Sequence, residues 1–420
     1  MKLVFVNRYF HPDHSATSQM LTDLAIALAK THEVVVVTSR QRYDEPLAGL
    51  ASRDYVGRVR IHRVWTTCFG RGNLAGRAVD YLTFYFAAGL ALWRIVARGD
   101  FVVAKTDPPL ISVVAAIVCA LSGARLVNWL QDLFPEVAEV LGARLRGPAA
   151  SILRGLRDWS LRAAEANVVP GAGMASRLEA RGIRKDSIRI IPNWADGARI
   201  RPMDARASPF RREWGLQERF VVAYSGNMGR AHEFDTILRA AARVQAGETG
   251  SPGTSAQPLK RSVFLFVGGG AQRESIERKG RELGVSGLVF KPYQPRERLS
   301  ESLGAADVHL VSLRPELEGL VVPSKLYGIL AAGRPIVFIG ANDGEIGQLV
   351  HRERVGFALE PGEDARLAEM LMKLRDYPRL RLDMGARARQ IFEERFDFPI
   401  AAAKFEEVLD PRARFCEQPL

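Results

Sequence analysis

Between Asp107 and Arg125 the chain runs for 17 residues without a charge. A helix that crosses a bilayer needs about 20 apolar residues, whereas this run opens with Pro108-Pro109 and carries Ser112, Ser122 and Gly123. Short apolar runs that read as strands flank it, Phe101–Lys105 and Leu126–Leu130. It is therefore expected to be the crossover helix of a βαβ unit, which makes its two strands parallel and buried under helices. No membrane-spanning segment is expected.

The same alternation recurs along the chain. Lys2–Arg8 reads as a strand, Ser18–Lys30 as a helix, and Glu33–Thr38 and Arg58–Trp65 as strands. A second series starts at Phe220, with strands at Ser262–Gly270, Leu288–Tyr293, Val308–Leu313, Ile336–Gly340 and Val355–Pro361. Helices are expected at Pro148–Ala166, Pro295–Ala306 and Glu363–Asp376, and Gly247–Lys260 reads as an exposed insertion. At 420 residues the chain is too long for one ordinary core. The fold class is α/β, with two doubly wound domains at residues 1–194 and 195–390 and a helical tail at 391–420.

Composition excludes some functions. The 47% hydrophobic and 25% charged content is that of a globular protein. Three scattered cysteines argue against a disulfide framework or a zinc cluster and fit a reducing compartment. Met1–Arg8 is charged again too soon for a signal peptide and reads as a first strand. Residues 1–194 hold 25 Lys and Arg against 16 Asp and Glu, while residues 195–420 hold 34 against 31. A basic first half suits an anionic partner, although scattered solvated charge gives the same count. Nucleic acid is a distant option, because the basic residues are not interleaved with aromatics in a recognisable module. Arg71–Arg77 reads as a basic loop, and Asp80–Val96 as a helix apolar nearly all round. Such a helix either lies on a membrane or is a core helix covered on both sides.

Glu316–Gly340 reads as a loop, a Pro323-Ser324 start, one short helix, a Gly333-Arg334-Pro335 turn and a buried strand. Ser324 and Lys325 fall where helix N–H groups and an ammonium could receive phosphate. This stretch resembles the donor motif of retaining glycosyltransferases of family 4, and Val322–Gly328 resembles the subgroup of fucosamine and colanic-acid transferases. Ile188–Asp196 resembles the Pro-Asn linker signature of that family, and Gln131–Glu136 its acidic segment after a strand.

The resemblance implies a GT-B architecture, two Rossmann-like domains facing across a cleft, with the tail crossing back to the first. It implies a nucleotide-sugar donor, UDP-linked, held by the second domain through Gly226, Asn227, Arg230, His232, Gly269, Lys291, Pro323, Ser324, Lys325 and Glu345. The first domain would hold a lipid-linked (undecaprenyl-diphosphate) glycan through His11, His14, Ser15 and Glu136, at the inner face of a bacterial membrane. Asp132, Glu318 and Glu316 are the catalytic candidates. The product would be a surface polysaccharide such as O-antigen, capsule or exopolysaccharide. No cofactor or metal is expected, because no Asp-x-Asp stands beside a sugar site and cationic groups must then steady the departing diphosphate.

The chain departs from the family pattern in places. Ser15–Ser18 replaces the usual glycine pair, Gln131 a histidine, and Asn227 and His232 the diphosphate Arg and Lys, with Arg230 the nearest basic residue. Leu320 and Gly328 occupy the positions of the two family glutamates, so Glu316 or Glu318 and Glu345 are the available substitutes. A nucleotide-sugar 2-epimerase of the same architecture and a non-catalytic sugar-nucleotide-binding partner are the alternatives.

Overall fold

The computed structural model describes every residue except 44, 46, 48, 71–73, 144–146, 251–259 and 411–420. The chain forms two compact units. Met1–Pro192, Gly319–Val322 and residues 401–410 make the first; Asn193–Glu318 and Pro323–Ile400 make the second.

The first unit holds an eight-stranded sheet of β1 (Lys2–Val6), β2 (Glu33–Ser39), β3 (Arg53–Val56), β4 (Val59–Val64), β5 (Phe101–Lys105), β6 (Arg125–Trp129), β7 (Ala166–Val169) and β8 (Ile188–Ile190). The strand order is β3-β4-β2-β1-β5-β6-β7-β8, parallel except for the β3–β4 hairpin. The uncharged run forms the helix Ile111–Ser122 between β5 and β6, which pair in parallel from Phe101 with Arg125 to Lys105 with Trp129. Gly123 closes that helix at φ 72°, a left-handed position that suits glycine. Winding proceeds outward from β1 through β2, then restarts on its other side at β5. The gap at the carboxyl ends of β1 and β5 is thus a switch point, where ligands of open α/β sheets gather.

The second unit repeats the plan with β9 (Arg219–Ser225), β10 (Lys260–Val267), β11 (Leu288–Lys291), β12 (Val308–Ser312), β13 (Ile336–Ile339) and β14 (Gly356–Leu359). All pairs are parallel, in the order β11-β10-β9-β12-β13-β14, and the switch point lies between β9 and β12. One face of this sheet packs Phe220, Val222, Tyr224 and Phe266 beneath Ile237 and Leu371. The other packs Val221, Ala223 and Leu265 against Trp214.

Two local expectations change. The 74–95 helix begins three residues before Arg77, so Arg77 is helical; Arg71 lies outside the described residues. Residues 247–250 of the expected insertion continue the helix Asp235–Gly250, and 251–259 lie outside the described residues. At the C-terminus, Phe405 of the helix Phe398–Leu409 packs edge-on against Trp129, with ring centroids 4.8 Å apart.

A buried ion pair locks the second sheet. Arg211 Nη2 stands 2.6 Å from Asp307 Oδ2, its Nε donates to the Ala305 carbonyl at 2.8 Å, and Val221 N–H donates to the same Asp307 oxygen at 2.8 Å. Removing one partner of such a pair strands the other charge in the interior. Arg211→Met is expected to destabilise the second unit by about 3–5 kcal/mol, read as a lower midpoint for its transition in urea.

Candidate functional site

The site of the second unit is built where β9 and β10 end. Three glycines adopt positive φ there, Gly226 at 128°, Gly268 at 133° and Gly270 at 141°. A side chain on Gly268 would collide with the Gly226 carbonyl, and one on Gly270 would stand 2.5 Å from Asn227 Oδ1. The two loops therefore nest, tied by Gly226 N–H to Val267 O at 2.8 Å and Met228 N–H to Gly269 O at 2.7 Å.

Against this nest lies Lys325, the first residue of the helix Lys325–Ala331. Its Nζ donates to the Tyr224 phenol oxygen and stands 3.7 Å from the centre of the Tyr224 ring. The phenol in turn donates to the Asn227 carbonyl at 2.9 Å. Burial pushes the Lys325 amine well below the ordinary lysine range, and no carboxylate charge offsets it. Burial, reinforced by Tyr293, raises the Tyr224 phenol, so it stays protonated. His232 completes the group. Its Nδ1 lies 2.5 Å from the Ser312 carbonyl at the end of β12, and its ring meets Tyr224 edge-on. Burial, then the charge of Lys325, lowers this imidazole to about 3 against the pull of Ser312. The imidazole is therefore neutral and spends its ring N–H on that carbonyl, which leaves Lys325 as the latent positive charge of the group; with no carboxylate charge offsetting it, the amine can receive an anion.

Structure separates the other donor candidates. Ser324 is the helix N-cap, but its side chain caps nothing; Pro323 precedes it and accepts from Leu326 N–H at 3.3 Å. Gly269 accepts from Met228 N–H and from the Tyr293 hydroxyl at 3.3 Å. Arg230 is exposed. Lys291 is turned away: it pairs with Val267 on the sheet face opposite Tyr224, its Nζ 5.8 Å from the Trp214 ring centre. Glu318 accepts from Glu345 N–H at 2.8 Å and so holds the start of the helix Glu345–Arg352. Glu316 is exposed and pairs with Arg314 at 3.5 Å. A side chain at Gly328 would touch Leu303 and Ile200, an apolar setting unsuited to a carboxylate.

In the first unit, Asp132 sits at the carboxyl end of β6, bridged in antiparallel fashion to Val321. Burial raises its carboxyl, partly opposed by the Thr106 hydroxyl. Beside it a cavity of about 30 Å³ is lined by Lys105, Thr106, Asn128 and Phe134. Lys105 Nζ rests 3.1 Å from the Trp129 ring centre, and burial pushes the amine well below its usual range despite Asp107. Glu136, the acceptor candidate beside Asp132, is engaged within the first unit. Its carboxylate is spent on Arg157 at 2.7 Å, Arg181 at 2.8 Å and Arg154 at 3.7 Å. Burial would raise it, but the hydrogen bond and charge of Arg157 hold it below the usual carboxylate range.

His11 and His14 are exposed, and both offer their carbonyls internally, to Arg63 at 2.8 Å and to Gln19 at 2.8 Å. Partial burial, then Arg63, lowers the His11 imidazole. Ser15 N-caps the helix Ala16–Leu28 and donates its N–H to Asp13 Oδ1 at 2.8 Å. Asp13 also receives the Tyr43 N–H, and organises this loop unforeseen by sequence reasoning. Tyr224, Ser312, Lys105 and Asn128 were missed likewise; only the places of the first three at or near strand ends beside a switch point, and of Asn128 on the neighbouring β6, could have marked them. Among the described residues, no three His, Cys, Asp or Glu side chains are grouped to hold a metal ion.

Two domain-family descriptions match this chain, glycosyl transferase 4-like domain over residues 16–194 and glycosyl transferases group 1 over residues 208–391. The chain is 25% identical over 344 residues to the probable glycosyltransferase WbjE of Pseudomonas aeruginosa, covering 81% of this chain and 82% of that one. It is 27% identical over 283 residues to the putative colanic acid biosynthesis glycosyl transferase WcaI of Escherichia coli K12, covering 61% and 66%. Its fold is similar to that of sucrose-phosphate synthase from Thermosynechococcus elongatus (TM-score 0.74, 16% identity, 97% of this chain and 98% of that one). It is similar also to that of Anabaena HepE in complex with UDP-glucose (TM-score 0.70, 16% identity, 97% and 99%).

The buried histidines give the second unit an acid-labile stability. His309 lies inside β12 with Nε2 2.9 Å from Leu303 O, and burial lowers its imidazole to about 4. As pH falls from 6.5 the unfolded chain binds these protons first, so stability declines until each folded value is reached. The slope is at most about 1.4 kcal/mol per pH unit for each histidine. Urea midpoints measured from pH 7 to pH 4 should fall in the wild type, and His232→Gln with His309→Gln should flatten the profile.

Proposed function

The chain belongs to the glycosyl transferases of group 1, and from that premise we propose its substrates: a UDP-linked sugar as donor and an undecaprenyl-diphosphate-linked glycan as acceptor. The sugar moves with retention of configuration during synthesis of a bacterial surface polysaccharide. The names of WbjE and WcaI support the class of product, and the HepE complexes support a UDP-bearing donor.

One observation carries the donor assignment. Lys325 is a buried lysine held by a neutral phenol beside a nest of three glycine turns, without a counter-charge. A donor diphosphate seated there would supply the missing charge and raise the amine back toward its ordinary range. As the bond from the sugar to the diphosphate breaks, charge grows on the departing oxygen, and the ammonium is placed to meet it. Asp132 is the acceptor-side carboxyl in this reading, with Thr106 orienting it. An acceptor with an undecaprenyl tail stays in a bilayer, so the enzyme works as a peripheral protein on the cytoplasmic side of the plasma membrane. Among the described residues, no helix is long and apolar enough to cross it.

The test supplies UDP-, GDP- and dTDP-sugars to the enzyme with bacterial membrane lipid extract, with and without EDTA. Lipid-linked product is expected from a UDP-sugar, with the anomeric configuration retained and EDTA without effect. Lys325→Met should lower turnover by about 10²–10³-fold. Because the amine must be protonated to meet a diphosphate, UDP affinity in the wild type should weaken as pH rises, and in the variant it should be flat. Epimerised free nucleotide sugar would instead identify an epimerase. Binding without any product would identify a non-catalytic partner.

A further inference from the structure

Three helices of the first unit lie side by side, Leu74–Ile95, Ile111–Ser122 and Pro148–Ala163. The first two meet closely, since a side chain on Gly89 would stand 3.0 Å from Val114 Cγ1. The second and third are joined by the Ser112 and Ser160 hydroxyls, 2.9 Å apart. Their inner sides bury Phe84, Ala88, Leu92, Ile111 and Ala115 in the core.

The outer sides are apolar as well. On the first helix Leu82, Phe86, Leu90 and Trp93 recur at helical spacing, Phe86 75% and Trp93 53% exposed. Ile117 and Leu121 continue the stripe on the second helix, and Ile152, Leu156 and Trp159 on the third. A surface helix normally turns charge outward, and an apolar patch spread over three helices marks an interaction site. Charge identifies the partner. The acids of these three helices are Asp80 and Asp158, and both are buried. Arg94, Arg98 and Arg162 are exposed at the helix ends. A face with an apolar centre, tryptophans and a cationic rim, and with no exposed carboxylate, is complementary to anionic lipid. A second copy packed on it would bring the arginine rims toward one another.

We infer that this three-helix face is the surface by which the protein rests on an anionic bilayer, with Phe86, Trp93 and Trp159 entering the headgroup boundary. The inference rests on the proposed acceptor only for which membrane is met. It requires no substrate to be tested.

The experiment is flotation of the full chain with phosphatidylcholine vesicles, with and without phosphatidylglycerol. Wild type should float with the anionic vesicles. Phe86→Ser with Trp93→Ser should weaken binding by about tenfold or more, and Arg94→Glu with Arg98→Glu should weaken it similarly and remove its salt dependence. Tyr377→Ser, an exposed aromatic of the second unit, should change nothing. Circular dichroism and UDP binding without lipid check that each variant is folded; loss of UDP binding in the wild type would count against the proposed function alone. Wild type that fails to float, or apolar-face variants that float as well as wild type, would overturn the inference. So would a wild-type dimer in solution that Phe86→Ser with Trp93→Ser converts to monomer, which would assign the face to a second copy.

Discussion

An ammonium taken out of water needs a compensating partner, and in most buried pairs that partner is a carboxylate. In the second unit it is a ring. Lys325 lies over Tyr224 and donates to its hydroxyl, while the phenol donates its own hydrogen bond to the Asn227 carbonyl. Each of these partners is neutral, so the site keeps its electrostatic demand unmet. The surrounding structure serves that arrangement. The switch between β9 and β12 opens space at the strand ends, and the glycine turns let the β9 and β10 loops approach without side chains between them.

The first unit repeats the device with different residues. Lys105 ends β5 beside the switch point and lies over Trp129 of β6, again desolvated. Its neighbours Asp132 and Asn128 are neutral or have an affinity for protons raised by burial. Parallel sheets make this possible, since each strand delivers its last side chains to the same edge. A desolvated lysine thus belongs to each unit, Lys105 at the end of β5 and Lys325 at the start of a helix that follows β12. Asp107 acts on Lys105 without outweighing its burial, while Glu136 is enclosed by three arginines and Glu318 holds a helix start.

Much of this was legible in the sequence. The uncharged run between two apolar strands forced a crossover helix, and the alternation of elements forced two parallel sheets. The segment from Pro323 to Gly333 announced Lys325. What stayed hidden depends on distant partners. Tyr224 and Lys325 are 101 residues apart, and nothing local marks either as the other's neighbour. Glu136 looked free because its arginines arrive from the 148–163 helix and from Arg181. Lys291 was within reach of a stricter reading: Phe290 stacks on Phe266, so its successor must face the other side of the sheet. For the 74–95 helix, apolar residues on every side could not distinguish a covered helix from a partly covered one. The structure shows one buried stripe and one bare.

The hydrogen bond between His232 and Ser312 has a chemical consequence of its own. A backbone carbonyl can only accept, so the proton of the neutral ring must reside on Nδ1. The opposite nitrogen, Nε2, is then fixed as a lone pair. It can welcome a hydroxyl or an amide N–H and offers nothing to a group that only accepts. One carbonyl at the end of a strand thereby writes a selection rule for whatever the imidazole meets.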